Sequence, residues 1–225
     1  LQRTRCYYFY DPATPCNKRE PGSGCPAIGG VNRIHAILGT SEQCIATHPS
    51  DMCVALAALE AEVRVVGPNG ERAIPFAEFH RLPGDRPEQD TTLARDEIVT
   101  AIDVPAAWHG PHFTYLKLRD RQSYAFALVS VAVALDLDGG TVRRARIALG
   151  GVAHKPWRVP DAEAMIEGRA PGEAVFRAAA DRLLDGAVGF AGNGFKIGLA
   201  RRAILRALNQ AAAGEPQPVA DKRIH

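Results

Sequence analysis

Five cysteines, Cys6, Cys16, Cys25, Cys44 and Cys53, fall in the first quarter of the 225-residue chain, and the rest of the chain has none. Successive cysteines are separated by nine, eight, eighteen and eight residues, so no CxxC pair exists. That spacing disfavours a zinc ribbon or a thioredoxin-type motif. Thiolates are soft ligands suited to zinc or iron–sulfur clusters, and four of them close a site. Disulfides and unlinked thiols are the alternatives that spacing alone leaves open. An odd count leaves one thiol over, and disulfide frameworks are commoner in short secreted chains. No Ser–His–Asp arrangement, no H-E-x-x-H and no G-x-x-x-x-G-K loop accompanies the cysteines.

The elements that must position these thiols are unusual. Residues 1–50 are rich in turn formers, with Asp11-Pro12, Thr14-Pro15, Pro21-Gly22-Ser23-Gly24 and Gly29-Gly30. A loop this long in a compact domain usually has a function, and ligation can knit it together where apolar burial does not. Regular structure is expected from Ser50, where Ser50 or Asp51 can cap a helix over 52–61 with Met52, Leu56 and Leu59 on one side. Residues 64–66 and 72–76, joined through Pro68-Asn69-Gly70, read as a hairpin. A short helix and polar loop over 77–92 precede a strand over 97–104. Three strand-like runs follow, over 112–118, 125–137 and 142–153, the last two joined by Gly139-Gly140. Helices are expected over 161–167, 172–184 and 195–213. In the last, Ile197, Ile204, Leu205 and Leu208 recur at helical spacing and would pack on the sheet. Strands followed by helices give an α+β class, with a boundary near 107–111. The run of Gly186, Gly189, Gly192 and Gly194 reads as a helix-joining loop.

Composition narrows the partners. Hydrophobic residues make up 46% and charged residues 23%, close to a soluble globular average. Lys and Arg total 27 against 25 acidic residues, and Arg143-Arg144 and Arg201-Arg202 read as solvated surface, so nucleic acid is not the expected partner. The apolar run from Tyr124 to Leu137 is broken by Ser130 and too short to span a bilayer, so no membrane insertion is expected. The chain opens at Leu1 without a targeting pattern and reads as one whose beginning lies upstream.

Three stretches carry a resemblance: Leu1-Gln2-Arg3-Thr4-Arg5-Cys6, then Pro15-Cys16-Asn17-Lys18-Arg19-Glu20-Pro21-Gly22-Ser23-Gly24-Cys25, then Thr40-Ser41-Glu42-Gln43-Cys44-Ile45-Ala46-Thr47-His48-Pro49-Ser50-Asp51-Met52. They resemble the flavin-binding medium subunit of molybdenum hydroxylases, the xanthine dehydrogenase family, and most closely its periplasmic aldehyde oxidoreductase members, whose flavin subunit carries a 4Fe–4S cluster. The resemblance runs along nearly the whole chain. It implies that residues 1–109 are the remainder of an FAD-binding domain, with the cluster loop at about 1–50. Residues 110–225 would then be a small carboxy-terminal domain, a three-stranded antiparallel sheet with packed helices. The half that holds the flavin pyrophosphate on a Gly-rich loop would precede Leu1.

By the same resemblance, Cys6, Cys16, Cys25 and Cys44 are the expected cluster ligands. Cys53 is left as a small buried hydrophobe, with replacement of Cys6 or Cys44 by Cys53 as the alternative set. Asp51 would contact the ribityl–phosphate arm of FAD, although a plain helix N-cap explains it equally on sequence alone. Ile98 and Val99 would pack beside the isoalloxazine ring, the ordinary reading being a buried strand pair. Lys117 would face the flavin and raise its potential, where an isolated strand lysine more often faces solvent. Thr4 is a candidate hydrogen-bond donor to the cofactor, and His48 a loop residue near it.

The function so implied is electron transfer from 2Fe–2S clusters in a small partner subunit, through FAD, to an acceptor, with aldehyde oxidised at a molybdenum cofactor in a large partner subunit. Periplasmic placement would follow from co-export with a partner that carries the signal, the alternative being cytoplasmic. A non-catalytic interaction module stapled by zinc or disulfides is the competing class. A self-sufficient flavin oxidase is disfavoured, because no substrate-handling acid, base or nucleophile is evident.

Overall fold

The computed structural model describes residues 1–106 and 110–214. The expected boundary at 107–111 therefore lies partly outside the described residues. Within residues 1–50 there is one short helix, α1 (Tyr7–Tyr10), and otherwise turns and loop. Next come α2 (Asp51–Ala58), the hairpin β1 (Glu62–Gly67) and β2 (Gly70–Pro75), α3 (Phe76–Phe79) and β3 (Ile98–Asp103). These three strands form one antiparallel sheet in the order β2-β1-β3. The second half contains β4 (Phe113–Leu118), β5 (Val129–Asp138) and β6 (Thr141–Gly150), an antiparallel sheet in chain order, followed by α4 (Pro160–Ala164), α5 (Glu173–Leu183) and α6 (Phe195–Ala213). The class is α+β, as the element order implies.

The central strand β5 is buried on both faces from Val129 to Leu135. Its larger residues, Val129, Val131, Val133 and Leu135, face the core shared with α4, α5 and α6. Ala132 and, on β6, Ala148 belong instead to the cluster around α2. Small side chains on that face let α2 approach closely. Gly150 shows how closely, since a Cβ there would lie 2.5 Å from Val54 Cγ2.

Because α2 packs on β5 and β6 while sharing a core with Val63, Val65, Ile74, Phe76 and Phe79, apolar contact reaches it from more than one side. This corrects the one-sided stripe expected for it: Met52 is exposed, and the buried set is Cys53, Val54, Leu56, Ala57 and Ala58. Strand β5 also begins later than expected, at Val129, after an exposed connection that includes Tyr124 and Phe126.

Gly151 closes β6 with φ +73°, and a Cβ there would meet the backbone carbonyl oxygens of Ala127 at 2.7 Å and Leu128 at 2.8 Å. Left-handed backbone costs a non-glycine residue about 1–2 kcal/mol, and neither carbonyl is a flexible end that can swing away. Gly151→Ala is therefore expected to destabilise the fold by about 2–4 kcal/mol, read as a lower thermal midpoint. An unchanged midpoint would contradict this packing.

Candidate functional site

The loop of residues 1–50 is anchored by the buried side chains of Ile37, Leu38 and Ile45, and its remaining turns are held by polar bonds. The Cys16 amide donates to Ser23 Oγ at 2.9 Å, and the Gly24 amide donates to Asn17 Oδ1 at 2.7 Å. Asn17 Nδ2 donates to the Gln43 carbonyl at 3.0 Å, tying the Cys16 and Cys44 turns together. The Arg19 guanidinium donates to the carbonyls of Phe9 at 2.7 Å, Asp11 at 3.1 Å and Thr14. Backbone carbonyls that no sheet or helix would satisfy are thereby paired.

Cys6, Cys16, Cys25 and Cys44 wall one cavity, with Lys18 and His35 in the same wall. All five thiols are free, and no disulfide joins them. Among the described residues, no three of these four sulfurs lie within 4.8 Å of one another. A single tetrahedral zinc with bonds of about 2.3 Å would hold its sulfurs about 3.8 Å apart. Four unlinked thiols on one cavity are a soft donor set of the number that an iron–sulfur cluster or a zinc ion takes.

Burial pushes the Cys6 thiol up to about 11, with Cys44 adding to the rise, and burial pushes Cys25 in the same direction. Ionising these thiols together needs a bound cation, and binding one releases protons. Basic groups stand ready to offset the charge of a thiolate set. Asp90 gathers Arg3 at 2.9 Å, Lys18 at 2.5 Å and Arg5. Arg3 also donates to the Thr47 carbonyl at 2.8 Å and lies 2.6 Å from His154 Nε2, whose Nδ1 faces the Ala46 carbonyl at 2.8 Å.

His35 Nε2 lies 3.1 Å from Cys6 Sγ. The His35 carbonyl accepts from Lys196 Nζ at 2.8 Å and Asn193 Nδ2 at 3.2 Å, so the start of α6 holds the cysteine loop in place. Lys196 is fully buried and was missed in the sequence, although it precedes Ala200 by one helical turn on the buried face.

Of the expected flavin-side residues, Asp51 and Lys117 are brought together. Lys117 Nζ lies 2.6 Å from Asp51 Oδ2, and the Tyr115 hydroxyl donates to Asp51 Oδ1 at 2.8 Å. The helix cap is Ser50, whose Oγ accepts from the Cys53 amide at 3.2 Å. Asp51 is therefore not needed as a cap, and its half-exposed carboxylate is directed across to β4. Beside Tyr115 opens a groove of about 680 Å³ walled by Ala55, Ala58, Leu59, Phe113 and Ala132.

Thr4 and the Ile98–Val99 pair stay outside the Asp51 network. Thr4 is half-buried between Arg3 and Arg5. Ile98 and Val99 sit on edge strand β3, opposite Val66 and Val65. Ile98 is 69% exposed, which departs from the ordinary buried-pair reading, and the outer backbone edge of β3 has no strand beside it among the described residues. Tyr124 was not singled out from sequence. Its side chain is 93% exposed on a backbone with φ +54°, and Arg121 Nε donates to its carbonyl at 3.1 Å. An exposed aromatic on left-handed backbone is a conformational outlier of the kind found at ligand sites.

Cys53 and His48 are both buried, but against each other and His80 rather than in the cysteine cavity. The two imidazole rings lie 4.6 Å apart. Burial holds His48 down to about 2, aided by neighbouring His80, and burial holds His80 down to about 4.

Comparison with known proteins gives two family matches. Residues 27–107 match the FAD binding domain in molybdopterin dehydrogenase, and residues 114–211 match the CO dehydrogenase flavoprotein C-terminal domain. The chain is 49% identical over 214 residues to the aldehyde oxidoreductase FAD-binding subunit PaoB of Escherichia coli (strain K12), covering 95% of this chain and 64% of that protein. It is 32% identical over 171 residues to the carbon monoxide dehydrogenase medium chain of Hydrogenophaga pseudoflava, covering 74% of this chain and 58% of that one. Among solved structures, carbon monoxide dehydrogenase from H. pseudoflava aligns with a TM-score of 0.61 at 32% identity over 80% of this chain and 59% of that chain. Quinoline 2-oxidoreductase from Pseudomonas putida 86 shares the fold, with a TM-score of 0.62 at 24% identity over 74% of this chain and 57% of that chain. The chain thus spans less than two thirds of the length of these relatives.

Proposed function

Because the chain belongs to the family of FAD-binding medium subunits of molybdenum hydroxylases, we propose that it acts as the flavin and iron–sulfur electron-transfer subunit of an aldehyde oxidoreductase. The observation that carries the iron–sulfur part is the convergence of Cys6, Cys16, Cys25 and Cys44, unlinked, on one cavity. The aldehyde reading rests on the likeness to PaoB. Its proposed partners are a large subunit with a molybdenum cofactor and a small subunit with 2Fe–2S clusters, and its proposed compartment is the periplasm, reached with a partner that carries the signal.

Bound FAD would supply one- and two-electron redox chemistry, and a 4Fe–4S cluster single-electron transfer. The chain's own part is binding and electrostatics. Cys6, Cys16, Cys25 and Cys44 hold iron as thiolates, while Arg3, Arg5 and Lys18 offset the negative charge that four thiolates bring. The loop is fixed from behind by Asn193 and Lys196 through the His35 carbonyl. Asp51, held by the Tyr115 hydroxyl and Lys117, would offer its carboxylate oxygens to the ribityl hydroxyls. Lys117 stands beside that carboxylate, and the outer edge of β3 at Ile98 and Val99 presents backbone groups to a polar ring edge.

Lys117 gives the direct test of the flavin part. In the complete subunit, Lys117→Ala removes a cation and leaves Asp51 unneutralised, so both changes disfavour added electrons. The flavin midpoint potential is expected to fall by about 30 mV or more, tenfold in a two-electron equilibrium, with FAD content retained. An unchanged potential would remove Lys117 from the flavin site.

A further inference from the structure

We propose that His48, His80 and Cys53 form a second metal site, independent of the cysteine loop, for a zinc-type divalent cation. One ligand atom from each lies within 4.8 Å of the other two, and all three residues are buried. Both ring nitrogens of His48 and Nδ1 of His80 are buried without a hydrogen-bond partner. Buried polar atoms are normally paired, so the unpartnered Nδ1 of His80 and one unpartnered nitrogen of His48 call for an occupant. Apolar packing does not supply one, and a metal ion does.

The arrangement around the ligands suits a cation. His80 Nε2 lies 2.9 Å from the Leu1 carbonyl oxygen, so that nitrogen carries the proton and donates. Its Nδ1 is left with a free lone pair. A histidine ligand whose other N–H donates to a carbonyl is the usual support for a metal-bound imidazole. Phe76 and Phe79 stand edge-on to the His80 ring, at 5.5 Å and 5.0 Å between centroids, and fix its direction. Cys53 lies in the first turn of α2 beside the Ser50 hydroxyl; burial pushes its thiol up, so a bound cation would take the place of the proton. Arg3, one of the cations that act on both imidazoles, is occupied by Asp90 at 2.9 Å.

Two imidazoles and one thiolate match zinc in both softness and number, with one coordination position left for water. The metal would pin three separate segments: the loop after Cys44, the start of α2 and the end of α3. Its role would be a clip between the cysteine loop and the first sheet, with no share in electron transfer, since zinc has no redox chemistry.

The test is zinc and iron content, with zinc-edge X-ray absorption, on the complete subunit purified anaerobically with Zn²⁺ supplied. The forms compared are wild type, Cys53→Ala, His80→Gln and Cys25→Ser. The expected result is one zinc per chain, with two nitrogens at about 2.0 Å and one sulfur at about 2.3 Å. Cys53→Ala and His80→Gln should each weaken zinc retention about tenfold or more with iron unchanged, while Cys25→Ser should keep its zinc. Cys53→Ala, a change of small side chain in a packed helix, decides alone if His80→Gln does not fold. No zinc in the wild type, an all-sulfur zinc shell, or full retention in Cys53→Ala would overturn the proposal.

Discussion

Cys25→Ser is expected to take iron from about four atoms per chain to near none, while Cys53→Ser leaves iron unchanged. The contrast follows from placement. Cys25 shares a cavity with Cys6, Cys16 and Cys44, whereas Cys53 lies in the core under α2 and faces two imidazoles. A four-thiolate site deprived of one ligand loses the free energy that ordered its loop, because ligand binding and folding of such a segment are one process. Amide exchange in residues 1–50 should therefore quicken in Cys25→Ser, since that segment contains one short helix and depends on side-chain bonds from Asn17 and Arg19. The second half, whose core comes mainly from its own sheet and helices with Ile37 and Leu38 added, should keep most of its protection. Equal iron loss in both variants would move Cys53 into the ligand set and one of the other four out of it.

The second large effect is on flavin affinity. Asp51→Ala is expected to weaken FAD binding about 10- to 100-fold, the equivalent of the roughly 1.5–3 kcal/mol carried by hydrogen bonds to a charged group. The fold should be little affected. Ser50 rather than Asp51 caps α2, and the carboxylate is half-exposed, so its pairing with Lys117 contributes little to stability. Asp51→Asn keeps one acceptor oxygen and should fall between the two. Bound FAD in the complete subunit, measured against free FAD in dialysis, separates these cases. Unaltered affinity in Asp51→Ala would leave Asp51 as a surface partner of Lys117 only.

Much of the architecture is written in local pattern. The alternation of valine and alanine in β5 marks a strand covered on both faces, and Gly139-Gly140 marks its turn into β6. Ser50 was readable as a cap because capping is settled within one helical turn. The cysteine spacing, with the turn formers between, set apart the loop that gathers them. What stayed hidden depends on contacts across long stretches of sequence. His48 meets His80 only because α3 folds back beside α2. Lys196 reaches the His35 carbonyl 161 residues away. Asp90, in a polar loop with no evident pattern, collects cations from positions 3, 5 and 18. The amphipathic stripe assigned to α2 failed for a related reason, since a helix packed from more than one side has little periodicity to read. Tyr124 opens the apolar run that leads into β5, and its exposure and left-handed backbone, which no local pattern encodes, set it apart.

Iron and acid-labile sulfide per chain, measured on the anaerobically purified complete subunit together with its visible spectrum, tests the central claim most directly. About four of each, with broad thiolate-to-iron absorption beneath the flavin bands, is the result the four-cysteine site predicts. Zinc in a four-sulfur shell, or no metal with the loop cysteines oxidised to disulfides, would contradict it and leave the loop a structural staple.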